Sequence, residues 1–247
     1  MKGYIKLPPT KVMSDSRTEL RKLEDKEWKN YIFFHLLQYY KNVDNKHIVA
    51  LIENETKKPR ANIEKEIKKH IRNWFKRESQ IFNEQGFIIN LEPSAECNNE
   101  GYIDLQFEHS DWQNKYFSFE AKNLGKAKSM SFSKSISEYI CVREREDGGI
   151  YRFMTGKYAC DISFGGMLGF VISENKKNII DSLTNEINLI YDNIETGKLT
   201  GKKIVLNSIE NNNNTFNTFH IRKNYLTQKE EEFCLYHIIM DFANYYD

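Results

Sequence analysis

The stretch Gly101–Leu124, GYIDLQFEHSDWQNKYFSFEAKNL, decides how the chain is read. Tyr102–Phe107 and Tyr116–Glu120 both alternate apolar and polar side chains, which predicts two strands, each with a buried face. Side chains two apart share a face of a strand, so Glu120 and Lys122 point together while Ala121 faces away. If the two segments pair as a hairpin, Asp104 lies beside Glu120 at the end of the sheet. Adjacent carboxylates repel, and each loses solvation on burial, so the pair favours a divalent cation. Hard oxygen donors suit Mg²⁺ or Mn²⁺. Such an ion lowers the pKa of a bound water, and a lysine amine beside it can orient that water or offset charge on a phosphorane. The chemistry implied is hydrolysis of a phosphodiester.

The tripeptide E-x-K is cheap in a chain with 29% charged residues. It recurs at Glu24–Lys26, Glu27–Lys29, Glu55–Lys57, Glu66–Lys68 and Glu174–Lys176, mostly in helical or loop contexts where it is a solvated ion pair. Only Glu120–Lys122 follows an alternating aromatic strand with an isolated aspartate upstream.

Around this stretch the periodicity predicts helices over 17–42, 47–55, 61–83, 128–146, 150–155 and 176–195. Strands are predicted over Phe87–Leu91, Gly166–Ser173, Lys203–Ile209 and Phe216–Ile221. Phe233–Phe242 reads equally as a buried strand or, with Thr227 and Glu230 resembling a capping box, as a helix. The order helix, three strands, helix, strand, helix predicts one α/β domain with additions at both ends.

Asp104, Glu120 and Lys122 in that element order resemble the PD-(D/E)xK nuclease superfamily, over about residues 60–175. The resemblance implies a restriction-endonuclease-like central mixed sheet flanked by helices. An N-terminal helical extension (1–58) would pack on a nuclease core (59–175), and a C-terminal helix and strand extension (176–247) would belong to the same domain. It implies Asp104 and Glu120 as metal ligands with Ala121 as a further donor, Lys122 as the catalytic lysine, and Mg²⁺ or Mn²⁺ as cofactor. Ile103 stands where the family's eponymous proline would be. A glutamate on the first core helix is common in the family. Glu64 matches, sharing a face with Ile67, Ile71 and Phe75, and Glu66 is the alternative.

Composition narrows the partners. Thirty-six Lys and Arg against 35 Asp and Glu give a net charge of +1, but the distribution is uneven. Lys57–Arg77 holds nine basic residues against two acidic ones, whereas Glu92–Asp111 holds six acidic and no basic residues. That juxtaposition suits a polyanion held near bound cations, although the basic run alone also reads as a solvated face. Lys126, Lys128, Lys134, Arg152 and Lys157 are candidate phosphate contacts around the site. His220 and Arg222 share a strand face and fit either a phosphate contact or a structural pair, and Arg222 joins the candidate contacts. His237 reads as a satisfied core histidine. The expected partner is nucleic acid, DNA rather than RNA, with a protein partner such as a helicase or ATPase if the chain is an antiphage-defence effector. A homodimer is left open. The alternative is a catalytically silent nucleic-acid-binding or protein-interaction module on the same fold. The widely spaced Cys97, Cys141, Cys160 and Cys234 read as reduced thiols of a cytoplasmic protein, and no apolar run is long enough to span a bilayer. No Walker loop, dinucleotide-binding glycine motif, H-E-x-x-H or G-x-S-x-G is present.

Overall fold

A long buried strand needs cover on both faces, and Phe164–Val171 is buried at every position. It therefore sits inside the sheet rather than at its edge. In the computed structural model, which describes residues 23–94, 101–112, 115–127, 130–145, 147–192, 214–224 and 226–243, the elements run α1 (Asp25–Asn42), α2 (Asn45–Thr56), α3 (Ile63–Arg77), α4 (Gln80–Glu84), β1 (Phe87–Leu91), β2 (Leu105–His109), β3 (Tyr116–Leu124), α5 (Phe132–Ile140), a 3-10 turn (Arg143–Arg145), α6 (Gly149–Met154), β4 (Phe164–Val171), α7 (Lys176–Asp192), β5 (Thr215–Lys223) and β6 (Glu230–Asp241). The predicted strand over 203–209 lies outside the described residues.

The chain is α/β. Six strands form one open mixed sheet in the order β1-β2-β3-β4-β6-β5. β1, β2 and β3 are an antiparallel meander, β4 runs parallel to β3, β6 runs parallel to β4, and β5 closes antiparallel on β6. The ambiguous C-terminal segment is thus a strand. Its inner half is continuously buried, as expected of a strand with neighbours on both sides.

Helix α3 forms because Ile63, Ile67, Ile71 and Phe75 recur at helical spacing and are all buried. Asn62 caps it, its side chain accepting from the Lys65 amide at 3.3 Å. The helix ends sooner than its periodicity predicts. Its continuation to residue 83 is broken into the short α4, and the chain then turns into β1 at Gly86, whose φ of +84° favours glycine. The predicted helix over 128–146 is likewise reduced to α5 and the 3-10 turn.

α1 is joined to the sheet by aromatics. Trp28 stacks on Trp112 with centroids 5.9 Å apart and lies against His109 at 4.6 Å. The Trp112 indole N–H donates to Asp25 at 3.0 Å. One contiguous core runs from Trp28 in α1 through Ile71, Phe119 and Phe170 to Phe242 beyond β6. Where β3 and β4 pair, Phe119 lies opposite Gly166, and a Cβ at that glycine would stand 2.2 Å from the Phe119 ring. The close approach of the two central strands requires glycine there.

Arg222 corrects the sequence reading. It is completely buried, so it cannot reach a phosphate. Its guanidinium donates to the carbonyls of Phe153 (2.8 Å), Ala159 (2.6 Å) and Ile162 (2.8 Å) and to Glu231 (2.8 Å). It ties the α6–β4 connection to the β5–β6 hairpin. His220 and His237 are also interior. Thr218 Oγ1 bridges them at 2.6 and 2.8 Å, and the Tyr139 hydroxyl meets His237 at 2.9 Å. The cysteines depart from expectation too. Cys160 is disulfide-bonded, whereas Cys141 and Cys234 are free. Among the described residues, no helix is long and apolar enough to cross a membrane.

Replacing Arg222 with Met strands Glu231 and three carbonyls in the interior. Breaking a buried, hydrogen-bonded charge of this kind costs about 3–5 kcal/mol. The urea midpoint of Arg222→Met is therefore expected to fall steeply at an unchanged m-value.

Candidate functional site

The ladder between β2 and β3 ends at the pair Leu105–Phe119, and continuing its register would set Asp104 opposite Glu120. The strands part there because a side chain replaces the next backbone bond. Asp104 Oδ2 accepts from the Ala121 amide at 2.7 Å. Asp104 thus precedes β2 rather than lying inside it, and its backbone is held from the other side, where its carbonyl accepts from the Glu92 amide at 3.2 Å.

Asp104 Oδ1 accepts from Lys68 of α3, which also lies 3.6 Å from Glu64 and 3.7 Å from Glu92. Glu92 adopts a φ of +53°, an uncommon conformation for a residue with a Cβ, and its other oxygen lies 3.9 Å from Lys65. Glu66, the alternative helix carboxylate, turns instead to Lys69 at 2.6 Å. Of the two helix glutamates, Glu64 is the one beside the strand-end carboxylates. Its side chain keeps 24% of its surface exposed.

Glu120 is completely buried. Its Oε1 accepts from the Lys122 amine and, at 2.6 Å, from the Arg152 guanidinium. Its Oε2 is buried with no hydrogen-bond partner. A carboxylate oxygen left in that state costs stability unless something else approaches it. Arg152 is anchored at its far side by a fork onto Asp147 at 2.7 and 2.8 Å. It also donates to the Tyr158 hydroxyl at 3.2 Å, and that hydroxyl donates to the Tyr102 carbonyl at 2.7 Å.

The electrostatics follow from this burial. Desolvation, then the charge of Asp104, pushes the Glu120 carboxyl up to about 8 despite Lys122 and Arg152. Desolvation raises Glu64 as well, against the pull of Lys122. Burial alone would lower Lys122, but Glu120, Glu64 and Asp104 outweigh it and hold the ammonium charged far above neutrality. The same contest, with Asp104, Glu64 and Glu92 as the anions, raises Lys68. The Arg152 hydrogen bonds hold Asp147 down at about 2.

The structure therefore brings together Asp104, Glu120, Lys122 and Glu64, with Ala121 contributing its amide proton to Asp104. It adds Lys68, Glu92, Asp147 and Tyr158. Arg152 belongs to this cluster and is turned inward onto Glu120, not outward to a phosphate. Lys126 is exposed and paired with Glu174 at 2.9 Å. Lys134 is exposed on α5, and Lys157 lies across Gly101 with its Cε 3.0 Å from where a Cβ would be. Lys128 lies outside the described residues. Among the described residues, no three His, Cys, Asp or Glu side chains form a metal-holding group. A surface groove of about 480 Å³ along α5 and the 3-10 turn, lined by Ser133, Ser137, Glu138 and Arg145 among others, shares no residue with this cluster.

Nothing known matches. No family model, no curated protein and no solved structure is similar to the chain by these comparisons.

The raised Glu120 carboxyl has a thermodynamic consequence. Between an ordinary glutamate value of 4.5 and about 8, the folded chain binds more protons than the unfolded one. The stability associated with protonated Glu120 is fully present below pH 4.5 and is lost as pH rises through about 8. In EDTA, the melting temperature of wild type is expected to fall relative to Glu120→Gln as pH rises from 5 to 8. A constant difference across that range would contradict the assignment.

Proposed function

We propose that this chain is a divalent-cation-dependent nuclease that hydrolyses phosphodiester bonds, with DNA as the preferred substrate, on a restriction-endonuclease-like core over residues 59–175. The observation that carries the proposal is the buried, unpartnered Oε2 of Glu120, set where the β2–β3 ladder opens beside Asp104 and next to the Lys122 ammonium. The element order supports it as well: a helix carrying Glu64, a three-stranded antiparallel meander, and a fourth strand parallel to the third.

The donor set fits a hard cation. Asp104 and Glu120 would hold it, with the Ala121 backbone as a further donor, and a cation such as Mg²⁺ characteristically uses one or two carboxylates and keeps several waters. When bound, it would lower the pKa of a coordinated water and polarise a phosphoryl oxygen. The chain's own groups have distinct parts. Lys122 retains its proton at neutral pH, so it donates to the developing negative charge on the phosphoryl oxygens and does not act as a base from this state. Asp104 is pre-positioned by the Ala121 amide, so little ordering is left for substrate binding to supply. Glu64, at the more open side of the cluster, is placed to accept a proton from an attacking water.

Purified protein with Mg²⁺ or Mn²⁺ is expected to cut plasmid or linear DNA and to be silent in EDTA. Glu120→Ala and Lys122→Ala are each expected to lower the rate by about 10²-fold or more, the scale of losing one stabilising group, with circular dichroism unchanged. Full activity in both variants would refute these roles. Salt-sensitive DNA binding with no cleavage under any divalent ion would instead favour a catalytically silent binding module.

A further inference from the structure

Two carboxylates at the strand ends, Asp104 and Glu120, are met by three cationic side chains, Lys68, Lys122 and Arg152. Pairing Glu120 with Lys122 alone would already balance its charge, so Arg152 is surplus at that carboxylate. It is not there by accident of surface packing. Asp147 grips it through two hydrogen bonds at 2.7 and 2.8 Å, and Tyr158 adds a third contact at 3.2 Å, aiming the remaining guanidinium nitrogen at Glu120 Oε1. Five charged groups at the centre thus sum to +1, while Glu64 and Glu92 lie farther out, at 3.6 and 3.7 Å from Lys68.

A divalent cation entering such a cluster meets net positive charge, and in a partly buried site that repulsion is only weakly screened. A phosphodiester brings the negative charge that the cluster lacks. Resting on the nuclease reading, we infer that Arg152 is an internal counter-cation that keeps the empty site's affinity for divalent metal low, so that cation and nucleic acid bind cooperatively. The coupling is reciprocal: duplex raises cation affinity by the same factor by which cation raises duplex affinity. Asp147 makes the device durable, because it holds the guanidinium in place whether or not Glu120 changes partner.

The charge argument and a positioning argument give opposite signs, which makes the inference testable. If Arg152 merely oriented Glu120, Arg152→Gln would weaken cation binding. As a counter-cation, its removal strengthens it. Free Mn²⁺ would be measured by electron paramagnetic resonance during titration of wild type, Arg152→Gln and Arg152→Lys without nucleic acid. Duplex affinity would then be measured by fluorescence anisotropy in EDTA and in Ca²⁺. Arg152→Gln is expected to bind Mn²⁺ more tightly by about fivefold or more, the lower end of typical couplings, while Arg152→Lys stays near wild type. Ca²⁺ is expected to tighten duplex binding by wild type by a similar factor and by Arg152→Gln less. Mn²⁺ binding by Arg152→Gln that is equal to or weaker than wild type, or duplex binding by wild type that ignores Ca²⁺, would overturn the inference while leaving the nuclease reading intact. Absence of Mn²⁺ binding in every variant, together with no Ca²⁺ effect on duplex binding, would overturn both.

Discussion

The hydrogen bond from the Ala121 amide to Asp104 is the constraint on which the centre of this molecule depends. A backbone donor in the interior must be satisfied, and at Ala121 the neighbouring strand no longer supplies the acceptor. A carboxylate does so instead. That substitution opens the β2–β3 hairpin at one end and fixes Asp104 beside the glutamate of the next strand. It also pulls a lysine from α3 into the gap. Helix, hairpin and central strands meet there because one ladder rung is made by a side chain.

The surrounding charges are best understood as the price of that opening. Glu120, taken wholly out of water, is retained only with strong donors on one oxygen, and its second oxygen goes without. A site whose resting form is compensated by its own amines and guanidinium need not hold a metal to fold. It does, however, make any incoming cation compete with groups already in place.

Much of this arrangement was legible in the linear chain, and the parts that were not share a cause. Alternation in Tyr116–Glu120 and continuous burial in Phe164–Val171 are local patterns, and they locate the central strands closely. Asp104 reads as a strand residue because Tyr102–Phe107 alternates, yet the regular ladder begins only at Leu105, where Asp104 has already spent its carboxylate on a neighbour's amide. Lys68 was hidden in a run of nine basic residues. Its spacing of four from Glu64 was the available signal, since those positions share a helix face. Arg152 and Arg222 carry no such signal. Both read as surface cations, and what internalises them is tertiary: Glu120 lies 32 residues from Arg152, and the Phe153 carbonyl lies 69 residues from Arg222.

Arg222 also alters how the last third of the chain is regarded. By gripping the carbonyls that follow α6, it braces the segment from which Tyr158 reaches back toward Arg152. The terminal hairpin is therefore a buttress for the catalytic-side scaffolding and not an ornament added to a finished core. Trimming the protein to its apparent minimal core would slacken the very wall against which Glu120's guanidinium partner leans.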